Sequence, residues 1–124
     1  MSPTGPRGTV LIAEDEVMLA LWMEDLVAAQ GCRILGPAAS LEQLLKLIER
    51  SEPDVALLDV ALMHGENVYP AADRLRERGI PFAFVTAYDA AGLDRDYAQE
   101  PVLRKPYTAG EVRRCVDRLL ARAA

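Results

Sequence analysis

Little in this chain can carry thiol or imidazole chemistry. Cysteine occurs only at Cys32 and Cys115, outside any CxxC or Cys/His ligand spacing, and His64 is the single histidine. That excludes a thiolate zinc site and is consistent with a reducing compartment; both cysteines are expected as small buried hydrophobes and His64 as a loop residue. No apolar run is long enough to cross a bilayer and no secretory leader is visible, so the expectation is a cytoplasmic protein without a membrane partner. Positive charge is also short: 14 basic residues against 19 acidic ones leave a net charge of −5, the wrong sign for binding the phosphate backbone of nucleic acid. Protein or small-ligand partners remain.

What the chain does contain is an alternation. Its 124 residues amount to one domain, enough to bury a core without staples. Residues 1–8 hold two prolines and two glycines ahead of any periodic pattern and read as a flexible lead-in, leaving 9–124 as the folded unit. Thr9-Val10-Leu11-Ile12-Ala13 is a β-rich apolar run of the kind covered on both faces, and it stops at Glu14-Asp15-Glu16. Leu19, Trp22, Met23, Leu26 and Val27 then recur at helical spacing across 17–30, with Gly31 as the C-terminal cap. A weaker strand, Arg33-Ile34-Leu35-Gly36, precedes a helix opened by a Ser40/Gln43 capping box, with Leu41, Leu44, Leu45 and Ile48 on one face. After Pro53, Val55-Ala56-Leu57-Leu58 forms the third strand and ends in Asp59. A polar loop through His64-Gly65-Glu66-Asn67 and a helix through Leu75, stopped by Gly79, come next.

Pro81-Phe82-Ala83-Phe84-Val85-Thr86 reads as the fourth strand, with proline at its first position, where a missing N–H is tolerated. Residues 87–100 include Leu93, Tyr97 and Ala98 but little apolar periodicity, so a helix there is expected to be short or frayed. Val102-Leu103-Arg104 is a brief fifth strand. Thr108 and Glu111 cap a last helix carrying Val112, Cys115, Val116, Leu119 and Leu120 on its inner face.

Five such units close as a doubly wound α/β fold, an open five-stranded parallel sheet with helices on both faces, for which the common, flavodoxin-like strand order 2-1-3-4-5 is expected. Ligands of such sheets lie beyond the carboxyl ends of the strands where the order reverses, between the first and third strands. Glu14 and Asp15 end the first strand and Asp59 ends the third, so three carboxylates would share one crevice. Crowded carboxylates raise one another's pKa unless a cation is present, and an oxygen-only site with room for water suits Mg²⁺. Thr86 and Lys105, at the ends of the fourth and fifth strands, add a hydroxyl and a compact positive charge. With Lys46 as the only other lysine, a lysine at this strand end suggests a site wanting an ammonium rather than a planar guanidinium. A carboxylate nucleophile, a dication, an ammonium and a hydroxyl donor are what phosphoryl transfer to an aspartate uses. Glu16 and Glu66 are expected as solvated loop charges.

Together, Glu14-Asp15-Glu16 after an apolar strand, Pro53-Asp54-Val55-Ala56-Leu57-Leu58-Asp59, Thr86 and Lys105-Pro106 resemble the response regulator receiver domain of two-component signalling, over nearly the whole chain. The stretch ending Phe84-Val85-Thr86-Ala87-Tyr88, followed by Arg104-Lys105-Pro106-Tyr107, is further similar to a stand-alone subfamily with a Phe-Ala-Thr-Gly-Tyr-type motif, associated with alphaproteobacterial stress signalling. Val85 here replaces the alanine and Ala87 the glycine. The resemblance implies that Asp59 accepts a phosphoryl group from a sensor histidine kinase or phosphotransfer protein. It further implies that Asp15, Asp59 and the backbone carbonyl of Ala61 ligate Mg²⁺, and that Glu14 acts mainly through a metal-bound water. Thr86 would hydrogen-bond the phosphoryl group, Lys105 would pair with Asp59 or the phosphoryl oxygens, and Lys105-Pro106 would be a cis peptide. The family's aromatic switch, three positions before this lysine, is Val102 here, leaving Tyr88 or Tyr107 to substitute or simply to pack.

The implied function is that of a single-domain response regulator, a phosphoprotein working as adaptor or phosphorelay element. Its own chemistry would be limited to magnesium-dependent self-phosphorylation and slow autodephosphorylation, so it is not expected to be an enzyme. No basic helix, linker or second module is visible, so output is expected through contact. New charge at Asp59 would draw Thr86 inward and bias residues 87–100 between two arrangements. The helix over 17–30 carries more apolar residues than one buried stripe requires, Leu21, Trp22 and Met23 among them. Core packing is the expected account, and exposure would mark a partner surface, since this helix lies near the kinase docking surface of receiver domains. Three other readings compete. A small Mg²⁺-dependent aspartyl-phosphate phosphohydrolase would need a second aspartate where Ala61 stands. A flavodoxin-like FMN binder would need a Ser/Thr/Gly loop where the acids crowd. A receiver-like module that is never phosphorylated would not need the intact acidic set.

Overall fold

The computed structural model describes residues 7–62, 65–87, 93 and 95–123. Among these, the alternation becomes β1 (Thr9–Ala13), α1 (Val17–Ala29), β2 (Arg33–Ala38), α2 (Leu41–Arg50), β3 (Val55–Asp59), α3 (Tyr69–Glu77), β4 (Phe82–Thr86), β5 (Val102–Arg104) and α4 (Ala109–Ala123). The strands pair in parallel in the order β2-β1-β3-β4-β5, the doubly wound arrangement expected.

Strand side chains alternate between two cores. Val10, Ile12, Val55, Leu57, Ala83 and Val85 face α1 and α4. Leu11, Ala13, Ala56, Leu58, Phe82 and Phe84 face α2 and α3. Burial on both faces is why β1, β3 and β4 read as unbroken apolar runs. Each fully buried Leu, Ile or Val contributes about 1.5–3 kcal/mol relative to exposure.

Several local features aim the strand ends. In β2, Gly36 has φ +94°, and a Cβ there would lie 2.7 Å from the Ile12 carbonyl oxygen, so only glycine lets β2 press this close to β1. The register shifts beside it, and the Ala38 carbonyl accepts the Glu14 N–H at 2.9 Å, which fixes the backbone where β1 becomes acidic. β2 therefore runs two residues beyond Gly36, past the expected end. After β3, Val60 N–H donates to Val85 O at 3.1 Å and Val68 N–H to Val60 O at 3.0 Å, folding the loop back through an Ala61–Asn67 bridge. After β5, Lys105 N–H donates to Thr86 O at 2.7 Å, and Lys105-Pro106 is cis as expected; Gly36-Pro37 is cis as well.

The Thr108/Glu111 capping box is reciprocal, with bonds of 3.1 and 3.0 Å. At α2, Ser40 Oγ accepts the Gln43 N–H at 3.2 Å, but the Gln43 side chain reaches the Ala39 N–H at 2.9 Å, one residue earlier than a capping box requires. Residues 1–6 of the expected lead-in lie outside the described residues, as do His64 and Tyr88. Arg7 and Gly8 are already tied down: Arg7 N–H donates to Gly31 O at 2.9 Å, its guanidinium pairs with Asp117 at 2.7 Å, and Gly8 O accepts from Arg33 at 2.9 Å. Of residues 87–100, 88–92 and 94 lie outside the described residues. The described part contains one 3₁₀ turn, Arg95–Tyr97.

On α1, packing accounts for Met23 but not for its neighbours: Met23 is 1% exposed, whereas Val17, Met18 and Leu21 are 70%, 72% and 51% exposed. Among the described residues no helix is long and apolar enough to cross a membrane.

Candidate functional site

Beyond the carboxyl ends of β1, β3, β4 and β5 lies a cleft of about 280 Å³, and Glu14, Asp15, Asp59, Ala61, Thr86 and Lys105 all line it. The structure thus brings together the carboxylates, hydroxyl and ammonium expected at the strand ends, with Ala61 beside them. Glu14, Asp59 and Thr86 are buried, while Asp15 is exposed. Burying two carboxylates is costly unless each is paired and hydrogen-bonded. Lys105 serves both. Its Nζ donates to Asp59 Oδ2 at 2.9 Å and lies 3.1 Å from Glu14 Oε1, an ion pair without hydrogen-bond geometry. The resemblance implies that this lysine pairs with Asp59 or a phosphoryl oxygen; the structure adds its contact with Glu14.

The remaining oxygens are only partly satisfied. Asp59 Oδ1 accepts the Ala61 N–H at 3.1 Å and Glu14 Oε2 accepts the Glu16 N–H at 3.2 Å. Glu14 Oε1 is buried and accepts no hydrogen bond among the described residues. Burial pushes the Glu14 carboxyl up to about 7, helped by the neighbouring Asp59 carboxylate and opposed by the Glu16 N–H and by Lys105. For Lys105, burial alone would lower the ammonium; the hydrogen bond to Asp59 and the charges of Asp59 and Glu14 outweigh it and hold the group above its ordinary value.

These donors fit a hard dication. Glu14, Asp15 and Asp59 each offer an oxygen, all within 4.8 Å of one another, and one ammonium cannot neutralise three carboxylates. With neither imidazole nor thiolate in the cluster, the chemistry favours Mg²⁺ over Zn²⁺ or Cu²⁺.

The sequence reading assigned no site role to Glu16, and its side chain is exposed as expected; what it supplies is a backbone N–H. Tyr107 is not exposed and free to rotate: it is buried and stacked on Trp22, ring centroids 5.0 Å apart and planes 7° from parallel. Its hydroxyl is buried without a partner among the described residues. Burial, and after it the charge of Glu14, pushes that hydroxyl up to about 12. The one sequence signal for its nearness to the site was its place two residues after Lys105. Val102 is half-buried in β5. Cys32 is buried, and burial likewise raises the Cys115 thiol to about 11, so neither is poised for thiolate chemistry.

A sequence description of the response regulator receiver domain matches residues 10–116. The solution structure of SdrG from Sphingomonas melonis superimposes with a TM-score of 0.80 at 33% identity, covering 97% of this chain and 99% of that one. The receiver domain of the sensor histidine kinase PA1611 from Pseudomonas aeruginosa, with a magnesium ion coordinated in its active site cleft, superimposes with a TM-score of 0.78 at 25% identity, covering 92% of this chain and 98% of its own. Among curated proteins, the phyllosphere-induced regulator PhyR of Methylorubrum extorquens is 29% identical over 114 residues, 90% of this chain and 43% of that protein. The chain spans about half the length of the curated relatives it matches.

Proposed function

The chain belongs to the response regulator receiver domain family, and within it we propose a phosphorylation-controlled adaptor or phosphorelay element that accepts a phosphoryl group on Asp59 from a phosphohistidine of a sensor kinase or phosphotransfer protein. The observation that carries this reading is Lys105 held between Asp59 and Glu14, with Asp15 in the same cluster.

In the transfer, an Asp59 oxygen bonds to phosphorus as the donor's phosphorus–nitrogen bond breaks; the imidazole leaves with the electron pair and takes a proton from solvent. The Ala61 N–H on Oδ1 and the Lys105 ammonium on Oδ2 orient the carboxylate before attack. Lys105 then follows the charge onto the phosphoryl oxygens, and the buried Thr86 supplies a hydroxyl to the new group. Glu14, Asp15, Asp59 and the Ala61 carbonyl would hold Mg²⁺, which when bound neutralises phosphoryl oxygens.

Ala61 cannot act as the second acid/base of a phosphohydrolase, which favours a stored phosphoryl group over turnover. The exposed apolar face of α1, formed by Val17, Met18 and Leu21 with part of Trp22, adjoins Asp15 and offers the phosphohistidine donor a docking surface.

The test is intact mass after incubation with acetyl phosphate and Mg²⁺. One added phosphoryl group is expected on the wild type and none on Asp59→Asn. Multiple turnover without an adduct would indicate the phosphohydrolase instead, and an adduct that survives in Asp59→Asn would remove Asp59 as acceptor.

A further inference from the structure

Glu16 lines the cleft beside Glu14, Asp15, Asp59 and Lys105, and its N–H holds Glu14 Oε2, yet its own carboxylate has no task in that arrangement. The side chain is exposed, and although Glu16 is the N-cap of α1 it accepts no capping hydrogen bond. Among the described residues it makes no ion pair: the ammonium of the cleft, Lys105, lies between Asp59 and Glu14. Four carboxylates therefore face one lysine. With all four ionised, a bound dication would still leave one negative charge uncompensated. Favourable placement at the positive end of α1 explains an acid at this position. It does not explain why that acid also lines the cleft.

We propose that Glu16 selects the phosphodonor, its carboxylate repelling free phosphoanions from the cleft so that uptake depends on a donor docked by protein contacts. Coulomb repulsion scales with the charge of the approaching donor. A small acyl phosphate arrives as a dianion with nothing else to hold it. A phosphohistidine carried by a protein offsets the same repulsion with apolar contact, for which Val17, the residue after Glu16, opens the exposed face of α1. The same charge attracts a dication, so Glu16 acts on Mg²⁺ and on the donor with opposite sign. This rests on the phosphoacceptor reading proposed above.

The experiment compares the full chain as wild type, Glu16→Gln and Glu16→Asp in saturating Mg²⁺, timing by intact mass the uptake from acetyl phosphate, a dianion near neutral pH, and from phosphoramidate, a monoanion. At low salt Glu16→Gln is expected to speed uptake about threefold from acetyl phosphate and less than about twofold from phosphoramidate, as for a unit charge on the order of 8 Å from the donor in water. Both gains shrink in high salt, and Glu16→Asp keeps the wild-type preference. Titration calorimetry gives a readout independent of transfer: Mg²⁺ binding is expected to weaken about threefold in Glu16→Gln and to hold in Glu16→Asp. An unchanged preference between the two donors or an unchanged Mg²⁺ affinity overturns the proposal, as does a rate gain that high salt leaves intact. Lower melting of Glu16→Gln with the donor preference unaltered overturns it in favour of a helix-end role alone. A wild type that takes up no phosphoryl group from either donor removes the acceptor reading itself, a failure visible before any variant is compared.

Discussion

Two polar clusters sit on this fold, and they differ in whether their charges are satisfied. The first, at the carboxyl edge, presses three carboxylates against one ammonium and leaves Glu14 Oε1 without a hydrogen bond among the described residues. The second joins α3 to the 3₁₀ turn. There the Tyr97 hydroxyl donates to Asp73, while Arg76 lies 4.7 Å over the Tyr97 ring and donates to Asp96 O at 3.2 Å and to Glu100 at 3.0 Å. Tyr97 also stacks on Tyr69 at 4.5 Å and meets Phe84 edge-on at 5.7 Å. In the second cluster the buried Tyr97 hydroxyl and the Arg76 guanidinium each have partners, which is what a structural clamp needs. The first keeps an excess of negative charge that the folded chain cannot neutralise, and such an imbalance persists where a site awaits a cation or a reacting group. Substitutions should therefore act in opposite directions at the two places.

The largest expected effect is at the open cluster: Asp59→Asn abolishes phosphoryl uptake from acetyl phosphate, read by intact mass, while the fold is retained. Next comes the closed cluster. Tyr97→Ala is expected to cost about 3 kcal/mol in urea unfolding, as for other buried aromatics cut to alanine, and Tyr97→Phe about 1 kcal/mol for the lost hydrogen bond. Folded Tyr97→Phe should still take up phosphate at Asp59; if it does not, the two clusters are coupled.

Glu14→Gln should move stability the other way. A carboxyl raised from 4.5 to about 7 in the folded state binds more protons folded than unfolded, so its contribution is lost as pH rises across that interval. In chelator the variant is expected to match wild type at pH 4.5 and to exceed it above pH 7, by on the order of 1 kcal/mol. Saturating Mg²⁺ should reverse the order, because the wild type binds the ion more tightly. Melting curves in chelator and in Mg²⁺ check both halves, and a wild type that is more stable in chelator at high pH would contradict the crowded-charge account. The smallest effect is expected at Glu100→Gln, about 0.5 kcal/mol, because the side chain of its partner Arg76 is 44% exposed and water screens the pair.

The site was more legible than the clamp for a physical reason. Carboxylates at the ends of apolar strands stand out against their neighbours, and the reversal of strand order says which ends meet, so Glu14, Asp15, Asp59, Thr86 and Lys105 could be placed on one edge without coordinates. Tyr97 and Asp73 belong to segments 24 residues apart, and neither breaks a pattern, so nothing local announced their bond. The excess of apolar residues on α1 was visible too, but periodicity could not say which would be left outside: the buried stripe runs through Ala20, Met23 and Val27, leaving Val17, Met18 and Leu21 to solvent. Likewise Gly36 read as a strand end, yet it is where β2 presses against β1 and continues.

By itself, the order of apolar runs, caps and terminal acids determined the fold class and which acids lie at the strand ends, because periodicity marks the elements and right-handed crossover layers them about one parallel sheet; the strand order followed the common doubly wound arrangement. Only tertiary structure decided that a single lysine serves two acids, that Tyr107 is held rigid against Trp22, and that α1 keeps an apolar face uncovered. Those outcomes depend on distances between chain segments far apart in sequence, and local propensity carries no record of such distances.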